Sequence, residues 1–327
     1  MKRFYSFLLS AAVLLALVVI VLGAYTRLSD AGLGCPDWPG CYGHLSVPET
    51  VDHSQFGRVL EPEKAWAEMI HRYAAGSLGL AILGIFLLSV FFRRQLGRGV
   101  LLPLLLLCTV IFQAALGMWT VTLLLSPMIV TAHLLGGFTT LSLLWLLWLN
   151  QHASRPNTLY LDALPRVRAL ALVALLLLVA QIFLGGWTST HYAAIACGTS
   201  FPDCHGSLWP AADFASGFAF EWLEGVNYEF GILENPARTA IHMTHRLGAL
   251  IVFLYVGMLT VWLLRKRVQL LGGAPVTVLL LLLVQVTLGI LNVVLALPLP
   301  VATAHNLVAA LLLLSVITLN HRLYPAR

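Results

Sequence analysis

Charge is what this chain has least of. Only 10% of its 327 residues are Asp, Glu, Lys or Arg, against roughly 25% in a soluble globular domain. Two soluble domains, which the length alone would allow, are excluded because so few charges cannot cover a water-facing surface. Flexible linkers rich in Gly and Ser are also missing between the apolar blocks. What fills the chain instead is apolar: 59% hydrophobic residues and a mean hydropathy of +0.88. The apolar residues come in blocks of roughly 20, the length that crosses a hydrocarbon core as a helix. The sequence is that of an integral membrane protein.

Eight blocks are predicted as spans, at about 6–26, 68–92, 100–122, 127–149, 167–190, 238–263, 273–296 and 299–320. The formal charge of +5 is therefore no nucleic-acid signal, and what matters is which loops hold the charges. With the N-terminus inside, the inner segments carry 13 of the 19 basic residues, from Lys2 and Arg3 to Arg327, and a single acid, Asp162. The outer side carries the other 13 acids. The positive-inside rule then places both termini in the cytoplasm. The first block, behind Met1-Lys2-Arg3, is read as a retained span rather than a cleaved signal peptide. Two outer segments, about 27–67 and 191–237, are rich in Trp, Pro and Gly and are expected to cap the helices.

The chain also repeats itself. Gly23-Ala-Tyr-Thr26 followed by Cys35 and Cys41 recurs as Gly185-Gly-Trp-Thr188 followed by Cys197 and Cys204. Ile70-His71-Arg72 recurs as Thr244-His245-Arg246. Gln113-Ala-Ala-Leu-Gly117 and Thr131-Ala-His133 recur at one offset of 172 residues, as Gln285-Val-Thr-Leu-Gly289 and Thr303-Ala-His305. The expectation is an all-α integral membrane protein: eight transmembrane helices as two tandem pseudo-symmetric four-helix bundles, residues 1–150 and 151–327, in the same orientation.

His71, His133, His245 and His305 fall near the outer starts of the even-numbered spans, one pair per half. Ionisable groups inside membrane helices are costly, so a functional site is the first hypothesis, with interhelical hydrogen bonding the plainer one. Zinc usually adds Cys or carboxylate to its histidines. Two imidazoles from different helices of one bundle suit the axial ligation of haem iron. Ala74, Ala75, Gly76, Gly136, Gly137, Gly248 and Ala249 follow the histidines and would let a flat macrocycle approach. Arg72 and Arg246 are expected to meet haem propionates, since a guanidinium pairs well with carboxylates, or else to reach lipid headgroups.

The halves differ three residues before the first histidine of each: Glu68 precedes His71, but His242 precedes His245. That spacing puts each pair on one helix face. Glu68 beside a haem could stabilise developing positive charge on a carbon or take a proton from water, so the first half is expected to be reactive. The second is expected to hold a permanent haem. Cys35 with Cys41 and Cys197 with Cys204 are expected to form outer disulfides that staple the caps. For the first pair a redox-active dithiol is the other reading. Cys108 is expected to be a packed core residue.

Thr26-Arg27-Leu28, Gly32-Leu33, Cys35 and Cys41, Glu68-x-x-His71-Arg72, Thr131-Ala-His133, His245-Arg246 and Ala304-His305 resemble, in this order, the haem A synthase family. The resemblance covers essentially all eight spans. It implies oxidation of the C8 methyl group of haem O to a formyl group, giving haem A for terminal oxidases. His71 and His133 would hold the substrate haem O, with Glu68 as the catalytic carboxylate. His245 and His305 would bind haem b iron as a permanent cofactor, with His245 rather than His242 matching the family's His-Arg pair. Haem O synthase and cytochrome oxidase assembly factors are the implied partners, and Leu-rich helix surfaces allow a homo-oligomer. No long Arg- and Ser-rich presequence precedes the first span, so a bacterial cell membrane is expected. The alternative is a dihaem electron-transfer protein of the cytochrome b kind, which leaves both haems unaltered; a third reading is a haem or metal carrier.

Overall fold

The computed structural model describes residues 1–97, 99–152, 164–221, 223, 225–266, 268 and 271–324. Arg98, Arg155, Asp162, Arg267 and Arg327, which contribute to the charge sorting above, lie outside the described residues. Among the described residues, eight helices are long and apolar enough to cross a membrane: α1 (Lys2–Leu28), α2 (Pro62–Phe91), α3 (Leu101–Thr122), α4 (Pro127–His152), α5 (Leu164–Thr190), α6 (Asn235–Arg265), α7 (Ala274–Val294) and α8 (Leu299–Arg322). The described residues are those of an all-helical, multi-pass membrane protein. Proline stands in the first turn of α2, α4, α6, α7 and α8, where its missing N–H loses nothing and its fixed φ suits the helix.

Two closed rings of neighbours result. In the first, α1 packs on α2, α2 on α3, α3 on α4 and α4 on α1; in the second, α5 to α8 do the same. The rings meet through α1 with α8, α4 with α5 and α4 with α8. One buried cluster runs through both, with Leu9, Ile82, Leu106, Leu141, Leu144, Leu263 and Leu282 among its members. At the end of the bundle that holds both termini, Trp145 donates to the Thr318 hydroxyl at 2.8 Å, and His321 Nε2 lies 3.0 Å from Asn150 Oδ1. At the opposite end Arg58 and Glu229 form a two-pronged ion pair at 2.8 and 3.0 Å. Arg27 donates to the Ser189 carbonyl and lies 4.2 Å over the Tyr192 ring.

Both outer segments fold as caps closed by disulfides, Cys35–Cys41 and Cys197–Cys204. Each disulfide is followed by a single antiparallel bridge, Cys41 with His44 and Cys204 with Ser207. Each cap begins with the same turn, Ala31 N–H donating to the Thr26 carbonyl and Ala193 N–H to the Thr188 carbonyl. The short α3–α4 and α7–α8 turns also match, with Leu124–Leu125 and Ala296–Leu297 all at positive φ. One expectation fails: Cys108 is exposed on α3 rather than packed. The apolar character of α3 is nearly uniform around its axis, so the sequence did not mark which side meets lipid.

Candidate functional site

The four histidines are placed by one device. Each leans from an even helix toward the helix before it and meets a glycine there. A Cβ built on Gly23 would stand 2.9 Å from Cε1 of His71; the matching distances are 3.4 Å for Gly117 with His133, 3.3 Å for Gly185 with His245 and 3.2 Å for Gly289 with His305. Any side chain at these glycines would press on the ring.

His71 and His133 lie within electrostatic reach of each other, as do His245 and His305. All four rings are enclosed by protein yet keep some accessible surface, as side chains lining an internal cleft do. Nδ1 of His71, His133 and His305 is buried, and the main-chain polar groups of Val19, Gln113 and Gln285, one on each preceding helix, lie beside these rings. Among the described residues no group of three or more His, Cys, Asp or Glu is placed to hold a metal ion. The donors come in twos, and a pair of imidazoles on facing helices is the donor set of axial haem ligation. The residues present fit a haem in each ring.

Glu68 is 5% exposed. Its Oε2 accepts from the Cys35 N–H at 2.9 Å and its Oε1 from Arg72 at 2.5 Å. Arg72 also donates to the carbonyls of Asp37 at 2.9 Å, Pro39 at 3.2 Å and Gly40. All three carbonyls belong to the loop that the Cys35–Cys41 disulfide closes, so arginine, carboxylate and disulfide hold one cap over one cleft. In the second ring Arg246 donates to Ser200 at 2.9 Å, Asp203 at 3.0 Å and Pro202 at 3.4 Å, carbonyls of the Cys197–Cys204 loop. Its Nε donates to Nε2 of His242 at 3.1 Å. His242, 3% exposed, therefore occupies the place of Glu68, while His245 faces Gly185 and His305. Both guanidinium groups, expected at haem propionates or at lipid headgroups, donate to carbonyls of their caps.

The small residues after the histidines divide in two. Nothing stands within 4 Å of a Cβ added at Gly76 or Gly137, whereas one at Gly136 would collide with Gln113 and one at Gly248 with Gln181. Gly136 and Gly248 thus make room for glutamines rather than for a macrocycle. Gln181 was not apparent as a site residue from sequence. Its amide nitrogen lies 3.0 Å from Nδ1 of His245 and donates to the His245 carbonyl at 3.0 Å.

The fold is that of a polytopic helical membrane protein in which each ring of helices carries a pair of enclosed imidazoles and Glu68 is a buried carboxylate beside the first pair. Residues 6–317 match the COX15-CtaA family, described as cytochrome oxidase assembly protein, and the chain belongs to that family. It is 47% identical to the haem A synthase of Shewanella oneidensis, over 98% of this chain and 96% of the relative. It is 30% identical to that of Azorhizobium caulinodans, over 94% of this chain and 90% of the relative. For the haem A synthase of Methylobacterium radiotolerans the identity is 29%, over 94% and 87%.

Proposed function

We propose that the protein is a haem A synthase that oxidises the C8 methyl group of haem O to a formyl group, through successive hydroxylations and loss of water. The haem A would go to terminal oxidases. The observation that carries this reading is Glu68: a buried carboxylate three residues before His71, held by Arg72 and the Cys35 N–H, where the second ring has His242 in the matching place.

Residues 1–150 form the catalytic half, where His71 and His133 hold the substrate haem. Residues 151–327 form the half in which His245 and His305 hold a permanent haem b. The haem iron and ring supply the redox chemistry when bound. The chain's own part is to orient, shield and place charge. The glycine seats fix where each imidazole points. The disulfide-closed cap, fastened by Arg72, excludes water above the cleft. Glu68 presents a fixed negative charge at its carboxylate oxygens, where it stabilises positive charge developing on the methyl carbon or takes a proton from water. Arg72 and Arg246 serve as cap clamps. Both termini face the cytoplasm of a bacterial cell, and the caps lie on the oxidising side, where their disulfides persist.

The test is expression with a source of haem O, followed by extraction of pigments and identification by mass. Glu68→Gln keeps the size and hydrogen bonds of the side chain but removes its charge. Haem A yield should fall by about 10²- to 10⁴-fold while the haem b content is unchanged. An undiminished haem A yield would sink the mechanism. A dihaem electron carrier would return both haems chemically unaltered.

A further inference from the structure

The glycine that seats each histidine ends a repeated pattern on the odd helices. It reads Gln113-Ala-Ala-Leu-Gly117 on α3, Gln181-Ile-Phe-Leu-Gly185 on α5 and Gln285-Val-Thr-Leu-Gly289 on α7. On α1 it reads Val19-Ile-Val-Leu-Gly23. Leu-Gly is present four times and glutamine three. The exception faces His71.

One helical turn before the seat, a glutamine reaches the helix that carries the histidine. The Gln181 amide nitrogen lies 3.0 Å from Nδ1 of His245. The Gln285 amide nitrogen lies 3.2 Å from Nε2 of His305. Gln113 lies against Gly136, three residues after His133, as Gln181 lies against Gly248, three residues after His245. In the fourth place the residue three after His71 is Ala74, and the residue one turn before the seat is Val19. The polar group α1 offers the His71 ring is the Val19 main-chain carbonyl, not a side-chain amide.

We propose that this glutamine-to-valine difference sets which haem stays and which leaves. Gln181 is a positioning residue: its amide fixes the rotation of the His245 ring, so that the haem of the second half is held through purification and turnover. Val19 gives the His71 ring a main-chain contact but no side-chain amide, so the first-half haem exchanges, as a substrate and product must. The proposal rests on the haem-ligand reading above and adds to it what makes one site exchangeable. Partners that orient a ligating histidine typically change affinity by about 10- to 100-fold when lost.

The experiment uses the full-length protein purified with haem bound, mixed with excess apomyoglobin, with haem transfer followed in the visible spectrum. His71→Ala and His245→Ala assign the fast and slow phases. Gln181→Met keeps the length and packing of the side chain but removes the amide. It should speed the slow phase by about tenfold or more and shift the low-spin ferric EPR signal. Val19→Gln with Ala74→Gly supplies the missing amide and the room for it, and should slow the fast phase by a similar factor. If both variants keep parental rates and spectra while His245→Ala still abolishes the slow phase, the brace is refuted and the haem reading stands. If His245→Ala leaves the slow phase intact, both are refuted.

Discussion

Arg72 and Arg246 fasten two caps in the same way, through carbonyls of a disulfide-closed loop, but they lean on different neighbours. In the first ring the neighbour is a carboxylate, Glu68; in the second it is an imidazole, His242. The shape of the device is common to both, and the charge is not. Burying a carboxylate is costly unless it is paired and hydrogen-bonded, and here both oxygens are engaged. In the proposed function, this carboxylate is the place where charge is used.

The strongest way to break this comparison is to exchange the two neighbours. Glu68→His should lower haem A formation by about 10²- to 10⁴-fold, and His242→Glu should leave it within a few-fold; equal losses from both would erase the functional difference between the halves. A smaller effect separates the caps. Opening either disulfide by Cys→Ser pairs should lower stability by about 2 kcal/mol, read as melting in detergent. Only Cys35→Ser with Cys41→Ser should also depress haem A yield, because the Cys35 N–H donates to Glu68.

How much of this was legible beforehand depends on how local the signal is. Apolar blocks gave all eight spans, yet α2 begins at Pro62, six residues before the expected 68. It projects above the apolar block on a polar first turn that hydropathy does not weigh. The four histidines and Glu68 stood out as charges in apolar helices. Gln181 did not, because its counterpart in the first half is Val19, and a search for matched residues passes over a mismatch. Cys108 is exposed, and nothing in a uniformly apolar helix says which face is covered.

Two further effects test the contact between the rings. Arg58→Ala strips the partner from Glu229, whose side chain is only 7% exposed, and should cost about 1–3 kcal/mol, measurable as a drop in melting temperature with site occupancy unchanged. His191 sits buried at the outer end of α5, its Nδ1 donating to the Trp187 carbonyl at 2.9 Å. Burial first, and then Arg27 nearby, hold its pKa below the ordinary 6.5, against the effect of that hydrogen bond. The unfolded chain takes the proton first, so the stabilisation is complete above pH 6.5 and is lost as pH falls toward the lowered value. His191→Gln should flatten the loss of melting temperature between about pH 7.5 and about pH 5.5.

Composition and order along the chain determined that this protein crosses a membrane eight times and carries imidazoles in two sets, because transfer from water and helical period act on neighbours in sequence. Which donor meets which acceptor was decided only by tertiary packing. The spacing of Glu68, His71 and Arg72 puts them on one end of one helix, but the loop that descends on Arg72, the N–H that reaches Glu68 and the glycine that receives each ring all come from other elements. Their approach depends on how helices lie side by side, and no local preference encodes that.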